Sequence, residues 1–374
     1  MKIAIIGIRG IPFVYSGFEA FTEQLASRLV KKHKITVYCR SNYFGKKYQS
    51  FKGISLVYLP TIRTKSFETM IHTSISTIHA LFCRYDVIYY LGVSGTVFSL
   101  VPRIFGVKTV VNIDGLDWKR EKWGLWGRSF LHLSELLSSF IPSKTITDSL
   151  FVKKYFLKKY HKNIDYIPYG YFKSTANKKK LLNKFKLKKQ KYLIWVGRLV
   201  PDNHLDEAIL AFNKLKTRLK LAVVGDDLYG GSYKNKIIRI IDQQKKTKVV
   251  FTGFLDHDDC AYLMKNSFSY IETKRSGGTH PSFIDAMASG CLIVSNNHLA
   301  NRSIIGSGGF YYDLNNPPEN LARLIKKLLI TDKHLLEKKR NEVKELANNN
   351  YEWKRIQKQY EDMFFNLYRK RQNP

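Results

Sequence analysis

The chain has 374 residues, and 63 lysines and arginines stand against 30 aspartates and glutamates, a formal net charge of +33. With 44% hydrophobic and 14% aromatic residues it is built to pack, which excludes a disordered chain, and its length suits two domains. Cys39, Cys83, Cys260 and Cys291 are widely spaced and form no CxxC pair. Neither a disulfide framework nor a zinc site is implied, and buried thiols of a reducing compartment are expected.

In chain order, KIAIIG (2–7), ITVYC (35–39), ISLVYLP (54–60), DVIYYLG (86–92) and KTVVNI (108–113) read as strands. GFEAFTEQLASRLVKK and FETMIHTSISTIHALFC between them have helical periodicity. The alternation predicts a parallel sheet covered on both faces, which TITDS (145–149) and IDYIPYG (164–170) extend. The opening MKIAIIGIRG has too short an apolar core before Arg9 to be a secretion signal. The longest uncharged stretch, 87–102, holds Gly92 and Gly95 and falls short of the roughly 20 apolar residues of a spanning helix. A soluble or peripheral protein is expected.

From residue 140 to 192 fifteen lysines face only Asp148 and Asp165, a surface suited to a polyanion. FVKKYFLKKY (151–160) places Phe151, Val152, Tyr155 and Phe156 on one helical face and lysines around the other. That pattern fits a membrane-surface helix, and equally a buried helix with a solvated basic face. Nucleic acid is not expected as a partner, since no zinc spacing, RNP-type aromatic run or basic zipper is present. A second alternating set follows: KYLIWVG (191–197), LKLAVVG (219–225), KVVFTG (248–253), FSYIET (268–273) and CLIVSN (291–296) as strands, with HLDEAILAFNKL and PPENLARLIKKLL among the helices. In the tail Trp353, Ile356, Tyr360, Met363, Phe364 and Leu367 recur at helical spacing.

Ligands of doubly wound sheets bind beyond the carboxyl ends of the strands, so the residues there are the candidates. After the first strand, Gly7, Gly10 and Gly17 bracket a loop carrying Arg9 that enters a helix at Phe18–Glu19. The glycine spacing is not the GxGxxG of dinucleotide folds, although the loop can aim a helix start at an anion. The alternative is a long turn in which Glu19 complements its own helix dipole. At the fifth strand's end, Asp114, Asp117, Trp118, Trp123 and Trp126 crowd together. The carboxylates suit orienting or deprotonating a hydroxyl. The tryptophans suit stacking on a sugar, resting in a membrane interface, or simply a core. WVGRLVPDN delivers Arg198 beyond a strand, fit to hold a phosphate, and VVGDD ends another at Asp226 and Asp227. SGGTHPSFIDAMASG (276–290) puts glycines, then Pro281 and Asp285, at a helix mouth. This is either an ordinary helix entry or an anion site, because the first N–H groups of a helix are unpaired.

GIRGIPFVYSGFE, DGLDWKREKW, VGRLVPDN, GGTHPSFIDAMASG and YEWKRIQKQYEDMF, in this order over nearly the whole chain, resemble the glycosyltransferases of the GT-B fold. The resemblance is to family four of the retaining enzymes, and within it to the bacterial rhamnosyltransferase-like branch of capsule and surface-polysaccharide clusters. It implies two doubly wound parallel-sheet, Rossmann-like α/β domains facing across a cleft, with a C-terminal helix packing back on the first. The expected boundaries are 1–170, 171–350 and 351–374. On this reading Gly10, Gly17, Arg198, Gly277, Gly278, Thr279, His280 and Asp285 bind the donor. Asp114 and Arg198 serve catalysis, and Arg9, Glu19, Asp117 and Trp118 lie on the acceptor side.

The resemblance also has departures. Where the wider family carries two glutamates, this chain has Gly277 and Asp285; a lysine five residues beyond the arginine is Asn203; and a second glycine before Gly17 is Ser16. The remaining carboxylate, Asp285, is expected to hold ribose. The implied reaction moves a hexosyl unit, rhamnosyl from dTDP-rhamnose foremost, to a lipid-linked oligosaccharide, with neither metal nor cofactor. Retention implies front-face attack with the diphosphate oxygen taking the acceptor proton. A cytoplasmic enzyme peripheral on the inner face of the cell membrane follows, docking on anionic lipid through a basic first domain. Other UDP-sugar transfer is the alternative. A GT-B-fold epimerase, against which the Trp-rich basic stretch speaks, and a non-enzymatic membrane- or nucleic-acid-binding protein are further ones.

Overall fold

A computed structural model describes residues 1–12, 17–62, 67–119, 123–173, 178–227, 231–243, 248–275 and 278–372; Ser16 and Gly277 lie outside them. The chain divides into two compact units, Met1–Tyr169 with Trp353–Pro374, and Gly170–Glu352.

The first unit is built on β1 (Lys2–Ile6), β2 (Lys34–Arg40), β3 (Ser50–Phe51), β4 (Ile54–Leu59), β5 (Val87–Leu91), β6 (Lys108–Asn112), β7 (Lys144–Thr147) and β8 (Asp165–Tyr166). Their order in the sheet is β3-β4-β2-β1-β5-β6-β7-β8. Every pairing is parallel except β3 with β4, where Phe51 faces Ile54 across Lys52 and Gly53. Both of those residues have positive φ, 51° and 80°, as a two-residue primed turn requires. The central strands are buried on both faces; KIAII shows only Lys2 and VIYYL shows nothing, the signature of a sheet covered by helices.

The second unit carries β9 (Tyr192–Val196), β10 (Lys220–Val224), β11 (Val249–Gly253), β12 (Ser269–Glu272), β13 (Leu292–Asn296) and β14 (Phe310–Tyr312). They are ordered β11-β10-β9-β12-β13-β14 and all parallel. In both sheets the winding reverses once, between β1 and β5 and between β9 and β12, which is where such folds take ligands. Glycine lets strand ends come close, at the β1/β5 reversal in the first sheet and between β9 and β10, beside the reversal, in the second. A Cβ on Gly7 (φ +113°) would overlap the carbonyl oxygen of Leu91. One on Gly225 (φ +121°) would overlap that of Gly197.

The chain breaks at the extended Glu352, between helices Lys333–Tyr351 and Trp353–Gln372. In the second of these Trp353, Ile356, Tyr360, Met363, Phe364 and Leu367 are all buried. The Tyr360 hydroxyl lies 3.2 Å from that of Tyr89 on β5. Phe21 of helix Gly17–Leu29 approaches Trp353 at 6.1 Å and Tyr360 at 5.7 Å between ring centroids. At roughly 1.5–3 kcal/mol per large apolar side chain removed from water, this stripe accounts for the helix's return to the first unit. Among the described residues no helix is long and apolar enough to cross a membrane.

Candidate functional site

In the second unit the reversal point is braced before it is charged. Trp195 Nε1 donates to Thr273 Oγ1 at 2.8 Å, and that hydroxyl donates to the Asn203 carbonyl at 2.6 Å. Asn203 Nδ2 then donates to the carbonyl of Arg198 at 2.8 Å. Asn203 therefore fixes the backbone that presents Arg198. A cation is nevertheless close by. Lys274, buried just beyond β12, donates from Nζ to Val196 O at 2.9 Å and lies 3.3 Å from both Glu272 Oε2 and Ser282 Oγ. Arg275 pairs with Glu207, whose carboxylate is also 3.6 Å from His204 Nδ1.

Helix Pro281–Ala288 opens onto this ground, with His280 extended at its N-cap (φ −78°, ψ 122°) and Pro281 in its first turn. Gly278 and Thr279 are buried, and His280 Nδ1 sits 3.6 Å from Glu272 Oε2. The positive end of the helix thus meets the carboxyl ends of β9 and β12, where Lys274 Nζ lies between Val196 O and Ser282 Oγ.

Two carboxylates flank the loop between β12 and this helix, and their surroundings drive them apart. Burial pushes the Glu272 carboxyl up, but Lys274 and His280 outweigh it and hold it at about 2. Tyr270 also donates to Glu272, at 3.0 Å. Asp285 is buried within its helix, and burial raises it to about 8 against the opposing hydrogen bond from the Phe172 N–H, 2.7 Å from Oδ1. The Phe172 ring stacks on His257 at 3.9 Å, which fixes that backbone. Carboxyls pushed in opposite directions on either side of one loop are a mark of functional sites.

Sequence reasoning missed Glu272, Lys274 and Phe172. A signal existed for the first two: residues two apart on a strand end share a face, so Glu-x-Lys after FSYI is a preformed pair. Asp226 accepts from Lys234 Nζ at 2.7 Å and from Asp227 N at 2.8 Å, while Asp227 accepts from Gly231 N at 3.1 Å, so both shape the entry to helix Ser232–Asp242.

In the first unit the strand ends are closed by their own partners. The Arg9 N–H donates to Glu19 Oε1 at 2.9 Å and its guanidinium lies 3.6 Å from the same atom, with Glu19 buried in helix Gly17–Leu29. Gly10 has φ +137°, and a Cβ there would meet Cys39 Sγ at 2.7 Å and Phe44 at 2.8 Å. What approaches Gly10 is the protein's own packing. Beyond β6, Asp114 and Asp117 are half-buried. The buried Tyr169 hydroxyl is pushed well above its usual range by burial, then by Asp148 and Asp114, which places these two carboxylates around it.

Trp118 Nε1 donates to Glu135 Oε2 at 2.9 Å. Glu135, itself buried, also accepts from Tyr155 at 2.8 Å and Tyr160 at 2.6 Å. Helix Leu150–Tyr160 therefore covers its apolar side with protein. Val152 and Phe156 are buried while Lys154 and Lys158 face solvent, so of its two sequence readings the packed helix with a solvated basic face holds.

The structure thus gathers Arg198, Gly278, Thr279, His280 and Asp285 about the β9/β12 reversal. Arg9, Gly10, Gly17 and Glu19 stand at the β1 exit, and Asp114, Asp117 and Trp118 at the β6 exit, with β5 between the two.

Residues 177–350 match the family model described as Glycosyl transferases group 1, and residues 1–171 match Domain of unknown function DUF1972. "Uncharacterized glycosyltransferase MJ1069" of Methanocaldococcus jannaschii is 28% identical over 201 residues, 52% of this chain and 49% of that protein. The N-acetylgalactosamine-N,N'-diacetylbacillosaminyl-diphospho-undecaprenol 4-alpha-N-acetylgalactosaminyltransferase of Campylobacter jejuni is 28% identical over 124 residues, 33% of this chain and 32% of that protein. The chain thus spans about half the length of one curated relative and a third of the other. Anabaena Alr3699/HepE, solved with UDP and glucose, shares the fold at a TM-score of 0.80 and 17% identity, covering 98% of this chain and 100% of that one. The two-sheet architecture is the GT-B fold, and the match to group 1 glycosyl transferases falls on its second unit.

Proposed function

We propose that the protein transfers a hexosyl unit from a nucleoside-diphosphate sugar to a lipid-linked oligosaccharide in surface-polysaccharide synthesis, retaining the anomeric configuration. The donor we put first is dTDP-rhamnose. One observation carries the reading: in the second unit, the start of helix Pro281–Ala288 and the cations Arg198, Lys274 and Arg275 converge on the β9/β12 reversal. A diphosphate would lie along the helix start and Arg198, where preorganised donors stabilise the leaving group's charge. Gly278, Thr279 and His280 would approach the donor, with Gly277 their neighbour in sequence. Asp285, with Oδ1 committed to Phe172, would accept from ribose through Oδ2.

On the acceptor side Asp114 would orient the attacking hydroxyl, with Arg9, Glu19, Asp117 and Trp118 around the acceptor. Gly10 and Gly17 would shape the loop beside the donor. As the bond to the diphosphate breaks, its oxygen takes the hydroxyl proton on the same face as the attack. The chemistry we propose rests on positioning and electrostatics and draws on no metal. It would take place in the cytoplasm, at the inner face of the cell membrane.

The Campylobacter relative's name describes a diphospho-undecaprenol acceptor, and the Anabaena structure holds UDP. The first supports a lipid-linked acceptor; the second favours a UDP-sugar as the competing donor. The test is a panel of dTDP- and UDP-sugars incubated with lipid-linked acceptors from bacterial membranes. A glycosylated lipid product bears the proposal out. Sugar isomerisation without transfer, or no turnover across the panel, overturns it.

A further inference from the structure

Helix Leu125–Leu137 is inverted in polarity. It buries Ser134 and Glu135 beside Leu131 and turns Leu125 (82% exposed), Trp126 (89%) and Leu133 outward. Trp126, Leu133 and Phe140 recur every seven residues, so a single stripe runs the length of the helix and one turn past it. Arg103 extends the stripe sideways, because its guanidinium donates to the carbonyls of Phe140, Ile141 and Pro142. That draws the end of helix Leu100–Ile104 against Phe140, with Ile104 (72%) and Phe105 (70%) exposed beside it. The inversion is held from within: Glu135 takes hydrogen bonds from Trp118, Tyr155 and Tyr160, and this fixes which face is turned in.

An apolar face of this extent on a monomer marks a docking surface. Its charges select the occupant. Across helices Leu100–Ile104, Leu125–Leu137 and Leu150–Tyr160 the only carboxylate is Glu135, which is buried, while Arg128, Lys154 and Lys158 are exposed. A second copy would bring these cations against themselves with no carboxylate to meet them. A bilayer with anionic headgroups supplies both an apolar layer and the counter-charge, and an exposed Trp beside Leu and Phe suits its interface. We infer that this face of the first unit lies on an anionic membrane, with Trp126 and Leu133 inserted at the headgroup boundary and Arg128, Lys154 and Lys158 among the phosphates. The inference deepens the lipid-linked acceptor reading and rests on it for its purpose. The surface involved is the stripe of Leu125–Leu137, not the apolar side of 151–160, which protein covers.

The test is flotation of the full chain with phosphatidylglycerol/phosphatidylethanolamine vesicles and with phosphatidylcholine vesicles. Wild type should partition to the anionic vesicles and come off as salt rises. The double variant Trp126→Ser, Leu133→Ser, both positions exposed, should lose at least tenfold of that partition with an unchanged melting temperature and unchanged UDP and dTDP affinity. Equal flotation by variant and wild type, or no preference for anionic vesicles, overturns the inference. So does a dimer in sedimentation that the double variant dissolves, since that makes a second copy the occupant. Vesicle binding that survives while no nucleotide sugar is turned over would fault the proposed transfer and leave the surface standing.

Discussion

The two sheets reverse their winding in the same way, yet the charges at the two reversals are arranged differently. At β1/β5 each guanidinium has its own carboxylate. Arg9 meets Glu19, and next door Arg40 meets Glu68 at 3.1 Å with both buried. At β9/β12 Lys274 likewise pairs with Glu272 and Arg275 with Glu207, each carboxylate also beside a histidine, His280 and His204. A helix start adds its positive end there. One topology therefore yields a reversal whose helix start is neutralised by its own first-turn carboxylate, Glu19, and another whose helix start has no first-turn carboxylate and is biased toward a polyanion. Winding alone does not tell the two ends apart; the carboxylate in the first turn of the facing helix does.

The largest expected effect tests the polyanion-biased end. Asp285 ordinarily titrates near 3.8 and is raised to about 8 by burial. Between those pH values the folded chain keeps a proton that the unfolded chain has released. Stability should therefore fall as pH rises from about 4 to about 8 and level off above, by at most about 1.4 kcal/mol for each pH unit crossed. Asp285→Asn keeps an acceptor for the Phe172 N–H and should flatten that fall, leaving the variant more stable than wild type at pH 8 in thermal melts. Ribose hydroxyls donating to the carboxylate would favour its ionised form, so nucleotide affinity should rise with pH in wild type only. Parallel melting profiles for the two proteins would return Asp285 to an ordinary helix residue.

Next comes Glu272→Ala, which strands the buried Lys274 ammonium. Removing one partner of a buried pair costs about 3–5 kcal/mol, to be read from urea unfolding at pH 7. Because Glu272 is held at about 2, below its ordinary 4.5, its contribution is present above pH 4.5 and lost as pH falls toward 2. A loss below about 1 kcal/mol would mean that Lys274 is not held by this carboxylate. Arg198→Ala should leave stability nearly intact and weaken dTDP or UDP binding by about 1.5–3 kcal/mol, one to two orders of magnitude in Kd by calorimetry.

Much of this contrast could be read from the chain, but not all. The strands announce themselves by β-branched runs, and the last helix by a stripe whose six apolar positions are all buried. The β3/β4 hairpin escaped because β3 is two residues long and its turn is Lys52–Gly53 without the usual Asn or Asp. Helix Lys333–Tyr351 escaped because Asn348–Asn350 interrupt its pattern, and the break at Glu352 has no glycine or proline to mark it. At the candidate site, the places of Arg198, His280 and Asp285 in the fold were legible from local signs, a strand end and a helix start. The Glu272–Lys274–Val196 contacts depend on β9 and β12 being neighbours, and the partner of Asp285 lies 113 residues away. Periodicity likewise shows a stripe without saying which side is turned in, so the inverted Leu125–Leu137 helix needed Glu135's partners to be seen.

The smallest effect is expected at the neutralised end, and it is the one that can break the comparison. Arg9→Gln removes the charge and leaves a shorter polar side chain, while Glu19 Oε1 still accepts the backbone N–H of residue 9. If the β1/β5 reversal is closed by its own pairs, dTDP and UDP affinity should stay within about twofold of wild type, under about 0.4 kcal/mol. Any functional loss should then fall on the acceptor, as a raised KM for the lipid-linked substrate at unchanged nucleotide-sugar KM. Calorimetry beside a two-substrate titration separates these. A fall in nucleotide affinity as large as that from Arg198→Ala would put Arg9 on the diphosphate. Pairing of a guanidinium with a carboxylate would then no longer mark a strand end as closed to anions.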